Sequence, residues 1–210
     1  LTDLEEMALG SRPDNTQSDG DGYADGDEFW NRGTSPTLEG LFISEYAEGS
    51  SFNKYIEIYN GGSTPANLDA YAWVKCQNGC ESGNDLESFN FTAGTMLEPG
   101  ELWVVSSPSA DADILAAADE TQSGANWNGD DAVGILHQPS NTLIDMIGVI
   151  GSDPGSSWPA GGVSDATRNH TMVRNCDVLE GNADGWTSTS AEQWTILPED
   201  DVTDLGSHCE

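Results

Sequence analysis

From residue 38 onward the sequence predicts an antiparallel β-sandwich, and three observations carry that expectation. Short segments rich in Val, Ile, Tyr, Phe and Trp recur, several of them alternating apolar and polar residues with period two. Turn signals built from Gly, Pro and Asn separate them at regular spacing. Helical patterning is confined to a few short stretches.

Taken in order, residues 1–10 (Leu-Thr-Asp-Leu-Glu-Glu-Met-Ala-Leu-Gly) predict a short helix. Thr2 is its N-cap, Glu5 completes a capping box, and Gly10 stops it. Residues 17–28, Gln-Ser-Asp-Gly-Asp-Gly-Tyr-Ala-Asp-Gly-Asp-Glu, match a calcium loop, which is about twelve residues long. Gln17, Asp19, Asp21, the Tyr23 carbonyl, Asp25 and Glu28 fall at the ligating positions, and Gly22 falls at the sharp turn. Ca²⁺ takes six to eight oxygens at roughly 2.3–2.6 Å, and this spacing converges that kind of donor on one point. Gln17 stands where an Asp is usual, so one negative charge is missing, and Asp14, just upstream, could supply it. A second helical turn follows at Phe29–Arg32 and ends at Gly33-Thr34-Ser35-Pro36. Superposing Asp3 on Asp25 also superposes Glu6 on Glu28, a period of 22 residues. The first unit lacks its loop, so Asp3 and Glu6 read as helix N-terminal charges.

Strands are expected at Leu41–Tyr46, Lys54–Tyr59, Asn67–Lys75, Ser88–Phe91, Leu102–Ser106, Ala132–His137, His170–Arg174 and Trp194–Leu197. Leu143–Ile150 is nearly continuous in apolar residues and reads as the centre of a sheet. Asp111–Asp119 is the one helix expected among them, and residues 151–168 read as loop.

Two resemblances attach to these residues. Residues 1–37, with their Asp-Gly-Asp-Gly and Asp-Gly-Asp-Glu runs, resemble the thrombospondin type 3-like calcium repeats of secreted bacterial proteins. That resemblance implies structural Ca²⁺ in a stiff spacer, without catalysis. Leu-Phe-Ile-Ser-Glu-Tyr at 41–46 and Lys-Tyr-Ile-Glu-Ile-Tyr-Asn at 54–60 look like the opening of a lamin-tail domain. Leu-Asp-Ala-Tyr-Ala-Trp at 68–73, Leu-Glu-Pro-Gly-Glu at 97–101, Asn-Gly-Asp-Asp-Ala-Val at 128–133, Ile-Asp-Met-Ile-Gly-Val-Ile-Gly at 144–151 and His-Thr-Met-Val-Arg at 170–174 resemble its bacterial branch. The second resemblance covers about residues 38–200. It implies an immunoglobulin-like sandwich that serves as an accessory module in secreted nucleases and surface proteins. The expected architecture is therefore all-β, an immunoglobulin-like antiparallel sandwich at 38–210 with a C-terminal tail. A small calcium-binding loop-helix segment precedes it at 1–37.

Composition bounds the function. The chain has 210 residues and a formal charge of −31, from 37 acids against six Lys and Arg. Such a polyanion repels phosphate backbones and anionic bilayers, so direct nucleic-acid binding is not expected. The acids are interleaved with tryptophans and aliphatic segments, which points to a folded, acidic-surfaced protein. No apolar run approaches the roughly 20 residues of a membrane span. The chain starts at Leu1 with no signal peptide in view and reads as a processed or excised product. Four cysteines suit an oxidising, extracellular compartment, and sequence alone leaves three pairings open. Cys76–Cys80 would clip the Gln-Asn-Gly turn, and Cys176–Cys209 would tie down the tail. A zinc site from Cys176, His208 and Cys209 is the alternative, although the spacings match no common zinc pattern.

Other candidates divide between chemistry and architecture. Asp130, Asp131 and Asp145 could form a second cation site, or cap a hairpin turn and a strand. His170, with Arg168 and Arg174, could contact an anion or simply be a satisfied strand-start histidine. Trp127, Trp158, Trp186 and Trp194 could form a sugar-stacking row, whereas Trp30, Trp73 and Trp103 read as core or domain-junction residues. Asn90-Phe-Thr92 and Asn169-His-Thr171 match the N-glycosylation pattern. Neither a nucleophile elbow, nor a His-Glu-x-x-His motif, nor a phosphate-cradling loop is present. The expected function is a non-catalytic secreted or cell-surface structural or adhesive module, stabilised by Ca²⁺. Its partners would be homo-oligomer or filament neighbours, or an extracellular polysaccharide or protein. An accessory domain of a secreted nuclease and a glycan-binding module are the alternatives.

Overall fold

The computed structural model describes residues 1–9, 11, 13–16, 24–27, 30, 40–80, 86–182 and 186–209. Helix α1 (Asp3–Leu9) opens with the expected capping box. The Thr2 N–H donates to Glu5 Oε2 at 2.7 Å, and the Glu5 N–H donates to Thr2 Oγ1 at 3.4 Å. A short turn, α2 (Asp25–Asp27), follows. Leu1 lies against Gly26, where an added Cβ would stand 3.0 Å from the Leu1 nitrogen, so the two N-terminal units touch.

Among the described residues the sandwich has twelve strands. They are β1 (Leu41–Glu48), β2 (Lys54–Asn60), β3 (Ala66–Asn67), β4 (Tyr71–Cys76), β5 (Glu87–Asn90), β6 (Met96–Leu97), β7 (Leu102–Ser106), β8 (Glu120–Thr121), β9 (Ala132–His137), β10 (Thr142–Ile147), β11 (His170–Arg174) and β12 (Trp194–Leu197). One sheet has the order β12-β11-β1-β2-β7-β8, the facing sheet β10-β9-β4-β5, and β3-β6 form a ribbon. Every pairing is antiparallel except β7 with β8.

Between the sheets lies a continuous aromatic and aliphatic core. Trp73 stacks on Phe89 with centroids 4.1 Å apart and meets Trp127 edge-on at 5.7 Å, and Tyr46 stacks on Trp127 at 5.7 Å. Ile43, Ile56, Ile58, Val133, Ile135 and Met172 are wholly buried around them. Each such side chain contributes about 1.5–3 kcal/mol of burial. A bulge at Ser44 lets Ile43 and Tyr46 both face this core.

The outer face of the six-stranded sheet is covered too. Helix α3 (Ala112–Ala117) and the tail, residues 198–209, pack over β1 and β2, with Ile114, Val202 and Leu205 against Ala47 and Tyr55. The tail is fastened along its length. Asp200 accepts from the Ser50 N–H and hydroxyl, the Asp201 carbonyl accepts from Thr171, and the His208 ring rests on Tyr59 and Phe42. Cys209 bonds Cys176, just past β11, with Cα atoms 5.5 Å apart.

Several expectations change. The strand expected at Asn67–Lys75 is interrupted by a 3₁₀ turn at Leu68–Ala70, where Asn67 caps the Asp69 N–H. The segment expected at Leu143–Ile150 is β10, and it lies at the margin of its sheet rather than the centre. Its apolar run is explained by cover: Gly181 and Asn182 lie against Ile144 and Asp145, shielding that margin. Helix α4 (Ser188–Ala191), with a Thr187–Ser190 capping box, was not expected.

Candidate functional site

Of the expected calcium ligands, Gln17, Asp19, Asp21, Tyr23 and Glu28 lie outside the described residues, whereas Asp14 and Asp25 are described. Asp14 is exposed and Asp25 is 1% exposed. The Asp25 N–H donates to the Thr16 carbonyl at 2.9 Å, so the chain entering the loop is folded back onto the ninth loop position.

Both expected cysteine pairs are brought to bonding distance. Cys76 and Cys80 have Cα atoms 5.2 Å apart around the Gln77–Gly79 turn, and Cys176 pairs with Cys209. The zinc alternative therefore fails, because both thiols are consumed. Among the described residues no group of three or more His, Cys, Asp or Glu is arranged to hold a metal.

The acidic trio is dispersed. Asp131 accepts from the Asn128 and Asn78 N–H groups and so organises two turns. Asp145 faces Arg174 at the junction of the two sheets, both fully buried. Its Oδ2 also accepts from the Ile43 N–H at 2.8 Å, and its Oδ1 accepts from the Asn182 N–H at 2.8 Å. Arg174 donates through Nε to the Ile43 carbonyl at 3.0 Å and lies over the Trp194 ring at 4.0 Å. Asp130 lines a polar cleft of about 310 Å³ with Glu48, Asn128, Ser156 and Arg168. Its Oδ1 is buried without a hydrogen bond. The proposed positive cluster is likewise dispersed: Arg174 points inward, and His170 Nδ1 is 2.7 Å from the Arg168 carbonyl.

The tryptophans do not form a sugar platform. Trp127, Trp158 and Trp194 are at most 6% exposed, and Trp186 is half-buried. Trp127 instead donates to the Ala47 carbonyl at 3.1 Å. Trp30, expected in a core or junction, is 63% exposed. Thr171 of the second glycosylation pattern is wholly buried, whereas Asn90 and Thr92 of the first are exposed.

Sequence reasoning missed the carboxylates beneath the tail. Glu45 and Glu57 project from β1 and β2 onto the outer face, 1% and 0% exposed. Burial, only partly offset by the hydrogen bond from Tyr55, pushes the Glu45 carboxyl up to about 8. Burial likewise raises Glu57 to about 7, against the donors Ser44 Oγ at 2.8 Å and the Gly206 N–H at 2.7 Å. The charges of Asp201 and Asp204 in the tail push in the same direction. Burial and the neighbouring Glu45 also raise the Tyr55 phenol. Period-two alternation marks β2 as a strand without showing what lies on its second face, and the cover comes from the tail that the Cys176–Cys209 bond draws across that sheet.

What the fold defines is an immunoglobulin-like sandwich whose buried polar groups tie structural elements together. The family model of the Lamin Tail Domain matches residues 34–151, more than half of the chain, and the protein belongs to that family. No curated protein matches it. Among the described residues no helix is long and apolar enough to cross a membrane.

Proposed function

We propose that this chain is a secreted or cell-surface structural module, with Ca²⁺ ordering its N-terminal segment and the sandwich presenting a binding or assembly surface. One observation carries the calcium part: the Asp25–Thr16 closure sits inside a run whose oxygens fall at calcium-ligating spacing. The two disulfides support an oxidising, extracellular setting. With a formal charge of −31, copies repel one another, so assembly into an array or filament needs bridging cations.

Thermal unfolding of the full chain in Ca²⁺ and in excess chelator tests this reading. Ca²⁺ at 100 times its Kd adds about 2.7 kcal/mol and raises Tm. Identical curves in the two buffers would overturn the calcium role. Sedimentation in the same buffers reads assembly: polymers appear with Ca²⁺ and dissolve with chelator, and a monomer in both refutes self-assembly.

A further inference from the structure

We propose that Lys75 and Asn126 form an intramolecular amide bond that cross-links β4 to the segment leading into β9. Lys75 is 1% exposed. Its Nζ lies 2.6 Å from Asn126 Oδ1, 3.2 Å from the Gly124 carbonyl and 3.6 Å from Glu87 Oε1, at 5.8 Å from the Phe89 ring centroid. The side-chain amide is thus nearer to this amine than any carboxylate with which it pairs. Lys54, also buried, has the Glu48 carboxylate and the Gly49 carbonyl as its side-chain partners among the described residues, with no side-chain amide among them.

The reacting groups are held by the fold. Glu87 stands directly opposite Lys75 in the β4–β5 register. Asn126 is itself exposed but sits between Ala125 and Trp127, 0% and 1% exposed, with its N–H donating to the Gly124 carbonyl at 2.8 Å. Gly124 presses on Phe89 so closely that a Cβ there would stand 2.3 Å from the ring. Holding an amine and a carbonyl at contact distance makes a slow bimolecular reaction effectively unimolecular. A lysine amine shielded from water is a competent nucleophile once it loses its proton.

The reaction balances without an oxidant or cofactor. Glu87 takes one proton from the Lys75 ammonium, and the freed lone pair forms the Nζ–Cγ bond to Asn126. Glu87 relays a second Nζ proton to Nδ2 as the Cγ–Nδ2 bond breaks and its electron pair stays on nitrogen. Ammonia leaves, takes up the first proton as ammonium, and Glu87 ends as the carboxylate it began. Two side chains 51 residues apart in sequence are then covalently joined.

Intact-mass spectrometry of the full chain, with both disulfides reduced, tests the bond. The protein is expected to be lighter than its sequence by one ammonia, with a digest yielding a branched peptide that joins Lys75 to Asn126. Succinimides at the Asn-Gly pairs Asn60, Asn78 and Asn128 also lose ammonia, but they reopen in mild base and do not depend on Lys75. K75M and N126A should each restore full mass, with circular dichroism checking that they fold, and Glu87→Gln should convert several-fold more slowly. Full sequence mass in the folded wild-type protein after prolonged incubation overturns the proposal even if both variants fail to fold. A loss that survives K75M or reopens in base overturns it as well, and unchanged conversion in Glu87→Gln removes the proton relay.

Discussion

Buried carboxylates at the junction of the two sheets and on the outer face of the six-stranded sheet are handled in opposite ways. At that junction Asp145 meets a guanidinium and three backbone N–H groups, so its charge is answered inside the sandwich. On the outer face Glu45 and Glu57 meet a phenol, a hydroxyl and one backbone N–H, with no cation, and one oxygen of Glu45 has no hydrogen bond. Burial alone therefore does not fix the state of an acid. With burial and no cation beside them, both outer-face carboxyls are raised.

The comparison breaks most severely at the inner junction. Arg174→Met strands Asp145 without its counter-ion, and an expected loss of about 3–5 kcal/mol should appear in denaturant unfolding. Retained stability would mean that the backbone donors alone suffice. Next comes the tail fastening. Replacing Cys176 and Cys209 with Ser opens a 33-residue loop, for an expected loss of roughly 3–4 kcal/mol. Hydrogen exchange should then show the tail amides, such as the Gly206 N–H bonded to Glu57, losing protection while those of the paired core strands keep it.

A gentler effect comes from pH. Glu45 and Glu57 bind protons more tightly folded than unfolded, so the native state holds protons that the unfolded chain releases. Their contribution is full below the ordinary value of 4.5 and falls as pH rises, until it levels off above about 8. Each group contributes at most ~1.4 kcal/mol per pH unit within its window. His208 runs the other way. Burial and the Arg174 charge lower it from 6.5, so its contribution is lost as pH falls below that value. Substituting both glutamates with Gln should flatten the fall between pH 5 and 8, as read by urea midpoints, while leaving the His208 slope; an unchanged profile would show that they do not control it. The smallest effect lies outside the sandwich, where Thr2→Ala should cost α1 about 1 kcal/mol with no change at either carboxylate set.

Much of the sandwich was legible because it is written locally. Val, Ile and aromatic alternation located β2, β7, β9, β11 and β12, and Thr2 with Glu5 announced the capping box. Other features depend on what a segment meets far away in sequence. An apolar run such as Leu143–Ile150 reports burial, not whether the cover is a strand or the Gly181–Asn182 loop. Arg174 reads as an exposed cation until Asp145, 29 residues away, is placed opposite it. The cover over Glu57 is not legible until residues 198–209 are laid over it. Tryptophan counts likewise say nothing about which way the rings face, and Trp127 proved central to the core.

The Arg174–Asp145–Ile43 knot also has a mechanical meaning. Strands β1 and β11 are antiparallel neighbours, so the start of β1 and the end of β11 lie at the same end of the ladder. The Cys176–Cys209 bond short-circuits the tail, and tension on the two termini is delivered to that one end. Such loading would unzip the ladder a rung at a time, the weakest way to pull a sheet apart. Arg174 grips the Ile43 carbonyl near that end, and Asp145 ties both to the opposite sheet. The knot acts as a bar tack at the mouth of the seam.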